Sequence, residues 1–224
     1  MITTALIDMD GVLYDSMKKH TLAWHRMMSE EGIPCSRDEF FLYEGMTGAA
    51  TIDLLFRREL GRGSTPEENT RLYARKTELF QQMTPVEVMQ GAQRMIQILK
   101  DNNVKCVLVT GSAQNSLIQR LDTDYPDVFT PDMRVTALDV KRGKPDPEPY
   151  LLALEKSGAK PEETIVIENA PLGVRAGVAA GLRTIAVTTG PVPRENFDAE
   201  HPWKIYPSML SFASDVQHLL DDDK

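Results

Sequence analysis

Cysteine is nearly absent from this sequence. The chain has two cysteines, Cys35 and Cys106, and neither belongs to a CxxC pair. A disulfide-stabilised scaffold is therefore excluded, and Cys106 lies within an apolar run, as a buried thiol does. We expect two free thiols in a reducing compartment.

Long apolar runs and dense basic runs are also missing. No apolar run approaches about 18 residues, the length that a transmembrane helix needs, and the first residues resemble a strand rather than a signal peptide. With 25 Lys and Arg against 33 Asp and Glu the net charge is −8, and no basic run offers a face for nucleic acid. We expect a cytoplasmic protein with no membrane or nucleic-acid partner.

The composition that remains is typical of a globular protein. Of 224 residues, 42% are hydrophobic and 26% charged, which suits one or two domains with a buried core. Short β-branched runs at 5–7, 104–109, 164–167 and 184–187 alternate with helical patterns at 92–102, 113–122, 148–157 and 172–180. This alternation predicts an α/β fold with a Rossmann-like parallel sheet and helices on both faces.

Residues 16–84 interrupt the alternation. They contain no clear strand run, and amphipathic patterns at 17–30, 47–60 and 67–82 predict three helices separated by turns with glycine and proline. We interpret the segment as a helical cap domain inserted after the first strand. The core domain then consists of residues 1–15 and 85–224.

Two carboxylates follow the first predicted strand, in Asp8-Met9-Asp10-Gly11. Residues i and i+2 of an extended chain point the same way, so both carboxylates reach one place, and Gly11 permits a sharp turn. Such a pair favours a metal ion or a shared proton, and it can supply a nucleophile and a general acid–base. A solvated Asp-Gly turn is the alternative interpretation.

Three further groups lie at or near the ends of later strands. Thr110-Gly111-Ser112 offers a hydroxyl and amide groups to a phosphate oxygen, or it simply caps a helix. Lys144 lies in a proline-rich loop, where its charge could offset carboxylates and phosphate, or it is an ordinary surface lysine. Glu168-Asn169 ends the run at 164–167 with oxygen ligands that suit Mg²⁺.

Together these motifs resemble those of the haloacid dehalogenase superfamily of phosphotransferases. Asp8-Met9-Asp10-Gly11-Val12-Leu13 resembles its first motif, Thr110-Gly111-Ser112 its second, Lys144 its third and Glu168-Asn169 its fourth. The helical insertion and the stretches 143–147 and 173–177 are similar to the β-phosphoglucomutase-like branch, and the resemblance covers the whole chain.

The resemblance implies a mechanism. Asp8 would attack phosphorus and form an aspartyl-phosphate, while Asp10 would protonate the leaving group and then activate water. Mg²⁺ would be bound by Asp8, by the Asp10 carbonyl and by Asn169, with Glu168 nearby or bound through water. The residues implied in holding the phosphoryl group are Thr110, Gly111, Ser112 and Lys144.

The chain departs from the family pattern at Asn169, where the fourth motif usually ends in aspartate. An asparagine can still ligate Mg²⁺ through its carbonyl oxygen, but the site loses one negative charge. We expect weaker Mg²⁺ binding, or a site that the anionic oxygens of the substrate complete.

The predicted cap carries the residues that would select the substrate. His20 and Lys76 match substrate-binding cap residues of the branch, and Trp24 matches another or packs the core of the cap. Where true β-phosphoglucomutases hold a distal phosphate with cations, this chain has Glu44 and Gly48. A carboxylate would repel that phosphate. The loop resembles instead a member of the branch that hydrolyses inorganic pyrophosphate, in which Glu44 would exclude larger organophosphates.

Three hypotheses follow. The first is a Mg²⁺-dependent phosphohydrolase that acts on a small phosphorylated substrate, with inorganic pyrophosphate favoured. The second is a hexose-phosphate mutase or sugar-phosphate phosphatase of the same branch. The third is a non-catalytic phosphate-binding regulator, which the intact Asp8, Asp10, Thr110 and Lys144 disfavour. The resemblance also predicts a monomer.

Overall fold

The computed structural model describes residues 1–113 and 115–223. In chain order its strands are β1 (Thr4–Ile7), β2 (Tyr14–Asp15), β3 (Glu87–Val88), β4 (Lys105–Val109), β5 (Arg134–Val135), β6 (Thr164–Glu168), β7 (Arg183–Val187) and β8 (Lys204–Tyr206). Its helices are α1 (Met17–Glu30), α2 (Gly48–Leu60), α3 (Pro66–Gln81), α4 (Ala92–Asp101), α5 (Asn115–Asp124), α6 (Glu148–Ser157), α7 (Pro171–Ala179), α8 (Arg194–Asp198) and α9 (Met209–Asp222).

A six-stranded sheet with the order β5-β4-β1-β6-β7-β8 forms the centre of the molecule. Every neighbouring pair in it is parallel, so the predicted parallel sheet is confirmed. Strands β5 and β8 were not predicted, because they are two and three residues long and lie at the sheet edges, where a long apolar run is not required.

Side chains of the central strands alternate between two apolar layers, as the pleat requires. Ala5 and Ile7 of β1 pack in the layer that includes residues of α4 and α9. Leu6, between them, packs with Tyr150 and Ala153 of α6 in the layer on the other face. Both faces are thus covered by helices, which explains why the strand sequences are continuously apolar.

Residues 17–81 contribute helices but no strand of the main sheet. Helix α1 packs along α3, and α2 packs on α3 as well. Helix α3 begins at Pro66 because Thr65 and Glu68 form a reciprocal capping box before it. The two ends of the segment are joined by an antiparallel pairing of β2 with β3. The sequence pattern did not predict this pairing. The division into core and cap domains stays a prediction.

The apolar stretches of the helices are short. Within residues 1–113 and 115–223, no helix combines the length and apolar character that membrane crossing needs.

Candidate active site

The polar motif residues meet because their strands are neighbours. Strand β1 lies between β4 and β6, so Asp8 after β1, Thr110 after β4 and Glu168 at the end of β6 come to one edge of the sheet. All three side chains are buried, as is that of Asn169. Ordinary solvated turns do not bury carboxylates, so the alternative of an exposed Asp-Gly turn is wrong.

Lys144 lies at the centre of this group. Its Nζ donates to Asp8 Oδ1 at 2.5 Å, to Glu168 Oε1 at 2.5 Å and to the carbonyl oxygen of Val109 at 3.0 Å. Burial by itself lowers the pKa of Lys144, but the two carboxylates outweigh it and raise that pKa overall. Lys144 therefore carries its charge inside the protein and is not a surface lysine.

Glu168 has donors on both of its oxygens. Oε1 accepts from Tyr150 Oη at 2.7 Å as well as from Lys144, and Oε2 accepts from the backbone N–H groups of Asn169 and Ala170 at 2.9 and 3.1 Å. The structure thus places Glu168 in contact with Lys144. A role for Glu168 in binding a metal stays a prediction. Tyr150 was missed, and the one available signal was a tyrosine on the apolar side of the helix that follows the Lys144 loop.

Asp10 is connected to the helical segment. Its Oδ1 accepts from Ser16 Oγ at 2.5 Å and lies 2.9 Å from His20 Nε2, and His20 Nδ1 lies 2.7 Å from Lys76 Nζ. Burial raises the pKa of Asp10, but the nearby His20, Ser16 and Lys76 lower it overall. Ser16 was missed because a serine before a helix ordinarily caps it, whereas this hydroxyl donates to Asp10.

Lys76 is an unusual lysine because its ammonium is buried and no carboxylate of residues 1–113 or 115–223 forms an ion pair with it. Besides His20, it lies 5.2 Å from the ring centroid of Trp24 and 5.6 Å from that of Tyr73. Burial lowers the pKa of Lys76 to about 7. The predicted cap residues His20 and Lys76 therefore reach the same place as Asp10, with Trp24 beside them.

Glu44 meets the strand-end group directly. Its Oε1 accepts from Asn169 Nδ2 at 2.7 Å, and both side chains are buried. Burial raises the pKa of Glu44 well above its usual value, and the carboxylates of Asp8 and Glu168 add to that effect. The Asn169 amide packs against the main chain at Gly11. Gly11 has a φ of +81°, and a Cβ at this position would overlap the Asn169 side chain.

A small cavity of about 60 Å³ lies between the strand ends and the helical segment. Gly111 and Ser112 line it, together with Asp8, Asp10 and Thr110 from the strand ends and His20, Trp24, Glu44, Tyr73 and Lys76 from the helical segment. The loop that carries Glu44 lies directly on the strand-end loop, since a Cβ on Gly111 would overlap the carbonyl oxygen of Gly45. The predicted substrate-binding residues His20, Glu44, Lys76, Gly111 and Ser112 therefore line one cavity.

The residues present fit a hard cation such as Mg²⁺. Asn169 Oδ1 is buried and accepts no hydrogen bond from the part of the chain that the structure describes, and a carbonyl oxygen without a donor beside carboxylates is a typical Mg²⁺ ligand. Among residues 1–113 and 115–223, no set of three or more His, Cys, Asp or Glu side chains is arranged to hold a metal. The predicted ligand set includes two groups of another kind, the Asn169 side-chain amide and the Asp10 backbone carbonyl.

Comparison with known proteins agrees with this geometry. The family model of haloacid dehalogenase-like hydrolases matches residues 2–181. Hexitol phosphatase A of Escherichia coli (strain K12) is 31% identical over 195 residues, which are 85% of this chain and 86% of that protein. A phosphorylated carbohydrates phosphatase of Thermotoga maritima is 29% identical over 181 residues, 80% of this chain and 82% of that protein.

One solved structure is similar along the entire chain. It is from Bacteroides vulgatus and is provisionally described as a beta-phosphoglucomutase. The two are 45% identical with a TM-score of 0.96, and the match covers 100% of this chain and 90% of that one. With the strand-end residues in one buried site and the family model matching most of the sequence, this chain is a haloacid dehalogenase-like hydrolase with beta-phosphoglucomutase-like relatives.

Proposed function

We propose that this hydrolase is a Mg²⁺-dependent phosphatase that acts through an aspartyl-phosphate on Asp8. The observation that carries the proposal is the buried contact of Asp8 with Lys144, with Asp10 at the same cavity. A carboxylate held by a permanent cation is positioned as a nucleophile, and the ammonium can also stabilise charge on the phosphoryl oxygens.

The proposed first step forms a bond between Asp8 Oδ and phosphorus while the bond to the leaving oxygen breaks. A proton moves from Lys76 through His20 to Asp10, which passes it to that oxygen and is left as a carboxylate. In the second step Asp10 takes a proton from water, whose oxygen attacks phosphorus and releases Asp8 and inorganic phosphate. The Thr110 hydroxyl and the amide groups at Gly111 and Ser112 face the same cavity and would hold phosphoryl oxygens.

Mg²⁺ would be held by Asp8, by the Asp10 carbonyl and by Asn169, and it would supply positive charge to the transferring phosphoryl group. Four buried carboxylates, Asp8, Asp10, Glu44 and Glu168, surround this place. Burial and mutual repulsion raise the pKa values of Asp8 and Glu44, and a divalent cation would offset that repulsion.

A phosphorylated sugar or polyol is the first candidate substrate. The relatives reported above are named for hexitol and carbohydrate phosphates, so the comparisons favour our sugar-phosphate alternative and do not support the preference for inorganic pyrophosphate. The non-catalytic alternative loses support as well, because these relatives are phosphatases.

Pyrophosphate stays a second candidate because of one specific observation. Glu44 places a buried carboxylate in the lining of this cavity, where it would oppose a larger organophosphate and accompany a Mg²⁺-bound pyrophosphate. Mutase activity would need a second phosphate to be held near Glu44, which like charge opposes.

The test is release of inorganic phosphate by the purified protein in the presence of Mg²⁺. The panel contains hexose 6-phosphates, hexitol phosphates, β-glucose 1-phosphate and pyrophosphate, and conversion of β-glucose 1-phosphate to glucose 6-phosphate is followed in parallel. Asp8→Asn is the matched control, since the amide keeps the shape but is a poor nucleophile. Release no greater than that of Asp8→Asn on every substrate would overturn the proposal.

A further inference from the structure

Tyr150 is a fully buried tyrosine whose hydroxyl has a polar partner in the active site. Its Oη donates to Glu168 Oε1 at 2.7 Å, and its ring centroid lies 5.1 Å from Lys144 Nζ. Burial, reinforced by the negative charge of Glu168, raises the pKa of Tyr150 well above its usual value. The phenol is therefore a permanent hydrogen-bond donor to this carboxylate.

Glu168 Oε1 is the acceptor that Tyr150 and Lys144 share. Lys144 has three protons, and its three acceptors are Asp8, Glu168 and the carbonyl oxygen of Val109. The two carboxylates compete for the same ammonium. A second donor to Glu168 Oε1 stabilises the carboxylate charge and so weakens its attraction for Lys144.

We propose that Tyr150 is a positioning residue which, through Glu168, keeps the Lys144 ammonium on Asp8. This inference rests on the proposed function, since it assigns Tyr150 to the same phosphoryl-transfer site. Without the phenolic hydroxyl, Glu168 Oε1 would have Lys144 as its sole side-chain donor and would draw the ammonium away from the nucleophile. The loss would be greatest in the transition state, where the Lys144 ammonium beside Asp8 would stabilise the charge that develops on the phosphoryl group.

The aromatic ring has a separate, packing role. Tyr150 shares its apolar layer with Leu6 and Val107 of the sheet and with Ala153 of its own helix. Tyr150→Phe keeps that ring and removes only the oxygen, so it separates positioning from packing. Tyr206→Phe is the matched control, because Tyr206 Oη also donates to a carboxylate, Asp215, at 2.5 Å, outside the active site.

The first measurement compares kcat and KM of wild type, Tyr150→Phe and Tyr206→Phe on the best substrate of the panel. We expect Tyr150→Phe to lower kcat by about tenfold to a hundredfold, the range for loss of a hydrogen bond to a charged group, with KM changed by less than about threefold. Tyr206→Phe should leave both constants unchanged, although each variant loses one hydrogen bond from a tyrosine to a carboxylate. Equal kcat in wild type and Tyr150→Phe would overturn the proposal.

The second measurement does not need activity. Crystal structures of wild type and Tyr150→Phe, grown in the same condition, should show Lys144 Nζ displaced from Asp8 toward Glu168 in the variant. Unchanged contacts of Nζ with both carboxylates would refute the positioning role. If the wild type releases no phosphate from any substrate, the proposed function fails, and this structural comparison still decides whether Tyr150 positions Lys144.

Discussion

At the scale of single residues, the pair of Glu44 and Asn169 connects the helical segment to the end of β6. The Asn169 amide donates to Glu44 through Nδ2 and leaves Oδ1 free for a cation. An aspartate at 169 could not donate, and would face Glu44 as a second carboxylate. The asparagine is thus explained by its partner from the helical segment.

Asn169→Asp should make the free protein less stable and its Mg²⁺ affinity higher. Without metal, two carboxylates would lie within hydrogen-bond distance, which costs about 1–3 kcal/mol, and a divalent cation would offset their repulsion. Urea unfolding with and without Mg²⁺ checks this, and the increase in stability on adding Mg²⁺ should be larger for the variant. The double variant Asn169→Asp with Glu44→Gln is the control, and equal Mg²⁺ effects in wild type and Asn169→Asp would contradict the prediction.

Glu44→Ala should change substrate preference. Removing the carboxylate enlarges the small cavity and removes repulsion of an organic phosphate, so kcat/KM for phosphate monoesters should rise by about tenfold relative to that for pyrophosphate. The measurement is the ratio of the two kcat/KM values at saturating Mg²⁺. Glu44→Gln, which keeps the volume, separates charge from size. A ratio that stays at its wild-type value in both variants would show that Glu44 does not select the substrate.

At the scale of elements, the contact between two loops decides whether the cavity is closed. The loop of residues 43–48 lies on the strand-end loops, where Gly111 meets Gly45 and a Cβ on Gly143 would lie 2.7 Å from Thr47 Cγ2. Because Gly111 and Gly143 have no side chain, the main chain of each can approach the loop of residues 43–48 closely.

Gly111→Ala should therefore hold the two loops apart. The added methyl would overlap a backbone carbonyl oxygen that cannot swing aside, and overpacking of this kind costs about 1–3 kcal/mol. We expect kcat/KM to fall by about tenfold or more, with a larger radius of gyration in solution scattering. Gly190→Ala is the control, since the nearest atom to its Cβ would be 3.9 Å away. Wild-type kinetics for Gly111→Ala would show that this close approach is not needed for turnover.

At the scale of the whole molecule, the buried Lys76 links the site to overall stability. Its pKa of about 7 in the folded protein is lower than the value of about 10.4 for an unfolded lysine. Between these two pH values the unfolded chain binds more protons than the folded one, so the free energy of unfolding contributed by this group rises as pH rises. Below pH 7 the cost of burying the charged ammonium is fully present.

Lys76→Met should remove this pH dependence. In the absence of ligand, we expect wild-type stability to rise from pH 7 to pH 9 by about 1–2 kcal/mol more than that of the variant. Lys76→Met should also be the more stable of the two at pH 7, because methionine needs no solvation. Urea unfolding followed by circular dichroism at both pH values measures the difference. Parallel pH profiles of the two proteins would mean that folding does not lower the pKa of Lys76.

The cytoplasmic location, the monomeric state and the exact limits of core and cap remain predictions. Solution scattering of wild type at several concentrations tests the oligomeric state, and a mass that rises with concentration would contradict a monomer.

Much of the architecture could be read from sequence because it depends on local patterns. The β-branched run that became β6 is apolar on both faces, and only a strand covered on both sides needs that composition. The motif residues at the ends of these runs had to meet, because parallel strands bring their carboxyl ends to one edge. Asp8, Thr110, Lys144 and Glu168 were all identified in this way or by family resemblance.

The hydrogen-bond partners of those residues were decided only by the tertiary structure. Glu44 and Asn169 are 125 positions apart, and their contact depends on how the helical segment lies on the sheet, which no local pattern specifies. By its sequence pattern Tyr150 is a core residue of α6. Its hydroxyl donates to Glu168 because of how α6 packs in the tertiary structure. Local sequence determines which segments form strands and helices, whereas side-chain hydrogen bonds of a few ångströms depend on the packing of all of them together.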